Sequence, residues 1–219
     1  MRALRKELLA SAIAIVVFTI VLGLAYPLFI TGVSQVAFKN KAQGSQVTLN
    51  GRVIGSRLIA QDFQRPVIGR NGRPEVDRDG NPVLTPDVKY FQSRPSQSGY
   101  NPSATAFSNA GPNGADTNAA IRANAKAYLT LERRYDPSLT LSQVPPDAVQ
   151  TSASGVDPDI TLDNAHIQAH RIADVRGLSA DQVNQLINDN TNGRGLGLFG
   201  EKTVNVLDLN LALDKETSQ

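Results

Sequence analysis

The sequence predicts an α+β fold: one mixed α+β extracytoplasmic domain carried behind a single N-terminal transmembrane helix. Three observations lead there. Leu8 to Phe38 contains no charged residue over 31 positions, strand-like segments stand at both ends of the remaining chain, and helix-patterned segments lie between them. The expected division is a cytoplasmic N-terminus over 1–7, a transmembrane helix over 8–30, a juxtamembrane linker over 31–46 and an outer domain over 47–219, with 64–88 a surface insertion.

The anchor follows from length. At about 1.5 Å per residue, roughly 20 helical residues cross the hydrocarbon, and a helix satisfies its own backbone there. Leu8 to Ile30 supplies that length, with Pro27 expected to kink or end the helix near the outer interface, where Tyr26 finds both apolar and polar surroundings. Arg2, Arg5 and Lys6 precede the span and place the N-terminus in the cytoplasm, against Lys39 and Lys41 on the far side. The competing reading is a cleaved signal peptide, whose apolar region has about 7 to 15 residues. The span is longer, and Gly23-Leu24-Ala25 is the one tolerable small-x-small cleavage site near the end of such a core, so a retained anchor is expected.

Beyond the linker, Val47-Thr48-Leu49 and Arg52-Val53-Ile54 flank Asn50-Gly51, a pair suited to a tight hairpin because both central residues must accept positive φ. Gly55 to Phe63 reads as extended. Residues 64–88 are dense in turn residues (Asn71-Gly72, Asp79-Gly80, Asn81-Pro82) and read as an excursion built on a second hairpin. Phe91 to Asn118 lacks apolar periodicity and reads as a long loop. Asp116 then caps a helix with Ile121, Ala125, Tyr128 and Leu129 on one face. Asp163 or Asn164 starts a second, carrying Ala165, Ala169, Ile172 and Ala173 and stopped by Gly177, and Ser179 with Gln182 forms a capping box for a third, carrying Val183, Leu186 and Ile187. Along Val204 to Leu213 the apolar alternation changes phase between Val206 and Leu207, which implies a bulge or a change of element.

Composition excludes several function classes. The chain has no Cys, which removes disulfides, thiol nucleophiles and Cys-based metal sites, and its 41% hydrophobic and 19% charged content is that of a folded domain. Residues 1–41 carry a net +4 and the rest −2, so the domain lacks the basic field that nucleic acid requires.

Motifs that suggest chemistry fail on context. Gly195 to Gly200 is a literal G-x-G-x-x-G, and Gly200-Glu201-Lys202-Thr203 is close to a phosphate loop. A helix precedes it and an apparent strand follows, the reverse of a nucleotide site, and Glu201 stands where phosphate charge would lie. His166 and His170 could share a metal at i, i+4 but have no third ligand. Asp157, Asp159 and Asp163 begin like a calcium loop, yet Leu162 and Gln168 stand where glycine and glutamate are needed. Ser152 and Ser154 before Gly155 lack the first glycine of a nucleophile elbow. No catalytic, cofactor or metal residues are therefore assigned, and the residues alone lead to a membrane-anchored, non-enzymatic binding domain.

Several blocks together resemble the KdpC family, an accessory component of the bacterial Kdp system, the high-affinity potassium-transporting ATPase. They are Gly55 to Phe63, with Ala60 departing from the family's second glycine; Tyr90-Phe91-Gln92-Ser93-Arg94-Pro95-Ser96; Tyr100-Asn101; Ser108 to Asn113; Val144 to Asp147; Thr151 to Pro158; Gln168; Arg171-Ile172-Ala173; Arg176-Gly177; and Gly200 to Asp214. The resemblance spans the anchor and nearly all of the domain, except residues 64–88, which look like an insertion.

It implies an accessory, non-catalytic subunit in the inner membrane, beside the channel-like KdpA, the P-type ATPase KdpB and the very small KdpF. It further implies ATP as a possible ligand, because the family is described as a catalytic chaperone that raises the pump's ATP affinity. The topology derived above conflicts with direct nucleotide contact, since a P-type pump binds ATP on the cytoplasmic side. Within the long loop, Arg94, Tyr100 and Asn101 combine a guanidinium, an amphipathic ring and an amide, and they are the candidate partner contacts; the alternative is that they satisfy their own loop.

Overall fold

The computed structural model describes residues 2–105, 109–195 and 197–217, which form two compact units, 1–54 and 55–219. In the first, helix runs from Arg2 to Ala37 as α1 (Arg2–Ile20), one π turn (Val21–Ala25) and α2 (Tyr26–Ala37). Ala3–Ala37 is long and apolar enough to cross a membrane, and none of its most apolar window is buried within the protein. Pro27 does not end the helix. A proline inside a helix lacks its N–H and collides with the carbonyl four residues back. Here the wider π turn, closed by Tyr26 N–H donating to Val21 O, opens the ladder just before Pro27, which enters α2 in its first turn. Residues 31–37, expected as linker, are therefore helical. Phe38, at φ −135°, breaks the helix before α3 (Lys39–Ala42). Strands β1 (Gln46–Leu49) and β2 (Arg52–Ser56) then pair through Asn50 at φ 49° and Gly51 at φ 78°, the double positive φ the sequence predicts.

In the second unit the chain does not stay extended to Phe63: it turns at Arg57-Leu58, closed by a bridge between Ser56 and Ile59. The insertion is a meander. Strand β3 (Gln64–Pro66) pairs antiparallel with β4 (Leu84–Pro86), and bridges at Ile68–Pro74 and Val76–Pro82 fold the residues between them, with tips at Gly72 and Gly80, both at positive φ. After a long irregular stretch, α4 (Ala115–Glu132) begins at Gly114. Asp116, expected as the cap, lies instead in the first turn, where its charge faces the positive end of the helix.

Strands β5 (Asp159–Thr161), β6 (Thr191–Asn192) and β7 (Thr203–Asn205) form an antiparallel sheet in the order β5-β7-β6, registered at Ile160–Val204 and Thr191–Val204. Helix α5 (Leu162–Arg176) is capped by Thr161, whose hydroxyl accepts from Asn164 N–H, rather than by Asp163 or Asn164; it ends at Gly177, φ 67°. The Ser179–Gln182 capping box starts α6 (Ala180–Asp189). The phase change in the tail is a change of element: β7 ends at Asn205, whose side chain caps α7 (Val206–Glu216) by accepting from Asp208 N–H. One apolar core joins Ile160 and Val204 from the sheet, Ala165, Ala169 and Ile172 from α5, Val183 and Ile187 from α6, and Leu209 and Leu213 from α7, with Phe91 inserted from the irregular stretch. A smaller cluster holds Ala125 of α4 against Ala148 and Val149.

Candidate functional site

The irregular stretch that the sequence marks for function is bound to the domain by side chains from α5 and α7. Asn210 treats Phe91 as a strand neighbour would: its Oδ1 accepts from Phe91 N–H at 2.8 Å and its Nδ2 donates to Phe91 O at 3.0 Å. Gln168 repeats this one residue on, accepting from Gln92 N–H at 2.7 Å and donating to Gln92 O at 3.2 Å. Two amides thus satisfy a backbone that has no sheet partner, which is why Phe91 can be fully buried in a segment without regular structure.

Gln168 also belongs to a longer polar run. Asp147 accepts from the Thr161 N–H and hydroxyl and from Asn164 Nδ2, each at 2.9 Å. Asn164 Oδ1 accepts from Tyr128 Oη at 2.9 Å and from Gln168 Nε2 at 3.0 Å. Gln168 Oε1 accepts from Arg171 Nη2 at 2.8 Å, and Arg171 Nε reaches both oxygens of Glu132 at 3.0 and 3.2 Å. Arg171 Nη1 donates to Val88 O at 2.7 Å and Tyr90 O at 2.9 Å. Arg171 and Glu132 are 0% and 1% exposed, so this is a fully desolvated ion pair. Burial raises the Glu132 carboxyl pKa against the pull of Arg171, and burial raises that of the Tyr128 phenol, with the Glu132 charge adding to it. These groups lock α4, α5 and residues 88–92 together, and each is occupied by protein partners.

Arg94, Tyr100 and Asn101 also have internal partners. Arg94 Nη1 pairs with Asp157 at 2.9 Å, and Tyr100 Oη donates to Arg94 O at 2.9 Å. Asn101 Oδ1 accepts from Ser103 N–H at 2.9 Å while the residue stays exposed. Ser96 and Ser98 hydroxyls both donate to Gly155 O, which ties this loop to the Thr151–Pro158 block. Burial, followed by the Asp62 charge, pushes the Tyr100 phenol up to about 12. Residues 94–101 are therefore tied down as a platform, with Asn101 exposed on it. Ser108 of the Ser108–Asn113 block lies outside the described residues.

The glycine motif is a tight turn between β6 and β7. Phe199 N–H donates to Gly195 O at 2.9 Å, Gly195 N–H donates back at 2.8 Å, and Leu198 and Phe199 are exposed; Leu196 lies outside the described residues. No helix N-terminus follows it, so the phosphate-binding geometry is absent from the described turn. His166 Nδ1 lies 3.0 Å from Asn184 Oδ1, and among the described residues no three His, Asp or Glu side chains converge as a metal site. Asp159 instead accepts from Thr203 and Asn205 across the sheet. Glu132, Asp147 and Asn164 carry no sequence motif that marks them for this network. Only the capping pattern before α5 hints at the last of these.

The KdpC profile, described as the c chain of the K+-transporting ATPase, matches residues 8–215, so one match takes in both the apolar helix and the domain. The chain belongs to the KdpC family. KdpC relatives align over nearly their whole length. A potassium-transporting ATPase KdpC subunit of Mycobacterium tuberculosis is 40% identical over 214 residues, covering 97% of this chain and 100% of the relative. That of Koribacter versatilis is 39% identical over 213 residues, covering 96% and 95%, and that of Streptomyces avermitilis 37% identical over 216 residues, covering 95% and 93%. Within the KdpC family, several of the resemblance blocks seen in this sequence fall on the strapped segment 90–96, on α5, which supplies Gln168 to that strap, and on the stretch that forms β7 and α7.

Proposed function

We propose that this chain is an accessory, non-catalytic subunit of an ATP-driven potassium import complex. It is held in the inner membrane by Ala3–Ala37, with its N-terminus in the cytoplasm and its folded domain outside. There the domain docks on the outer mouth of the channel-like KdpA, in a complex with the P-type ATPase KdpB and the small KdpF, and it stabilises and regulates the assembled pump. The observation that carries this reading is the family match across residues 8–215, which spans anchor and domain together.

Arg2, Arg5 and Lys6 support the orientation. The interior titratable groups fit a non-catalytic role: Glu132, Asp147 and Arg171 are consumed by bonds within the domain. An effect on the pump's ATP affinity then acts through the transmembrane helix, as a coupling between sites on opposite sides of the membrane.

Deleting the chain from cells that depend on the complex tests this. Growth at micromolar potassium should fail and return with the wild-type chain, and protease added outside should cut within 64–88. Unchanged growth, or cleavage only after the cytoplasm is opened, would contradict it.

A further inference from the structure

Helix α4 buries Glu132 and packs Ala125, with Ile121 partly buried, against Ala148 and Val149, and the edge of that contact stays open beside the exposed Arg122 and Lys126. Ile121, Ala125 and Leu129, four residues apart, form an apolar stripe along the helix. Arg122, Lys126 and Arg133 run beside that stripe, and Leu141, 61% exposed on the short 3-10 turn Leu141–Gln143, closes one end. Together they line a groove of about 520 Å³ that contains no carboxylate. Among the described residues, neither Arg122 nor Lys126 makes an ion pair. Three cations aligned along an apolar floor, with no anion lining the groove, repel one another in the isolated domain and gain when an acidic partner is laid between them.

The occupant follows from shape and charge. From Ile121 to Leu129 the stripe extends about 12 Å at about 1.5 Å per residue, and the cations beside it carry the lining on to Arg133, about 18 Å in all, which is longer than one anionic head group and matches roughly three turns of a helix. We infer that this face of α4 docks an amphipathic helical segment of a neighbouring subunit, one that places apolar side chains over Ile121 and Leu129 and carboxylates against Arg122, Lys126 and Arg133. This rests on the reading of the chain as part of a transport complex, and it assigns a surface on the domain to that role.

The test uses the full chain co-expressed with the other members of the complex. In the variant Arg122→Glu/Lys126→Glu, retention of the partner subunits at low ionic strength should fall at least tenfold, and its dependence on salt should flatten. Thermal unfolding of the purified variant should match the wild type, since both side chains are exposed. The matched reversal Arg70→Glu/Arg73→Glu in the insertion should leave retention unchanged. A carbodiimide that joins Lys126 to a carboxylate in contact with it should yield a cross-link to an acidic residue of a partner protein. If the wild type retains its partners and the α4 reversal retains them equally, the docking surface is wrong while the placement in the complex stands. If the wild type retains none, that placement itself fails. A Lys126 cross-link to a second copy of this chain, or the loss of a bound anionic phospholipid from native mass spectra with assembly intact, would also overturn the inference.

Discussion

Arg171→Ala is the substitution to which the domain should be most sensitive. The guanidinium is fully buried, binds both oxygens of Glu132, and also donates to Val88 O, Tyr90 O and Gln168 Oε1. Removing it strands a carboxylate that is 1% exposed, and breaking a buried pair from one side costs about 3–5 kcal/mol. Domains of this kind have about 5–15 kcal/mol in total, so at least a fifth of the stability is at stake. With a urea slope of about 2 kcal/mol/M, the unfolding midpoint should drop by about 1.5–2.5 M.

The assay is urea unfolding of the full chain in detergent, followed by the near-ultraviolet circular dichroism of the tyrosines. The loss should shrink as pH falls, because burial already raises the Glu132 pKa and a proton can neutralise the stranded carboxylate. In the double variant Arg171→Met/Glu132→Leu most of the stability should return, since no buried charge is left unpaired. A loss under about 1 kcal/mol for Arg171→Ala, or a double variant as unstable as the two single losses added together, would refute the reasoning.

Other consequences can be checked alongside it. The Tyr100 phenol is neutral in the fold up to about 12, whereas an unfolded tyrosine ionises near 10, so its contribution is complete below about pH 10 and is lost as pH rises through about 12; alkaline unfolding in that window should weaken in Tyr100→Phe, and an identical pH profile would count against the burial argument. Val17→Arg puts a charge inside the span at a cost of about 2.5–3.5 kcal/mol on insertion scales, and the membrane-bound fraction should fall on carbonate extraction. Thr161→Ala removes the α5 cap and one of Asp147's partners, and should lower stability by about 1 kcal/mol or somewhat more, read as a shift in the thermal midpoint.

What the sequence made legible was mostly local. Asn50-Gly51, the Ser179–Gln182 box and the Gly177 stop depend on φ preferences and hydrogen bonds within four residues, and all three form as expected. The start of α5 differs from expectation because Thr161, Asp163 and Asn164 are all competent caps, and what separates them is Asp147, fourteen residues away, which holds the Thr161 N–H and hydroxyl. Pro27 does not end its helix because a widened turn can absorb a proline, and that relief leaves no mark in composition. The Glu132–Arg171 pair is invisible in sequence for a different reason: charged residues on helices are ordinarily solvated, and only tertiary packing brings these two, 39 residues apart, out of water. The same holds for the strapped segment 90–96. Its side-chain pattern suggests a partner surface, while Asn210 and Gln168 give its backbone a structural role that no local signal announces.

The most direct test of the proposed role in the pump is quantitative affinity purification of the tagged full chain from membranes in which the ATPase and channel-like partners are expressed at native ratio. The account expects both partners to be recovered in equimolar amount with this chain and to stay bound through size exclusion. Recovery of the chain alone, with the ATPase and channel-like partners assembled and active in the unbound fraction, would contradict it.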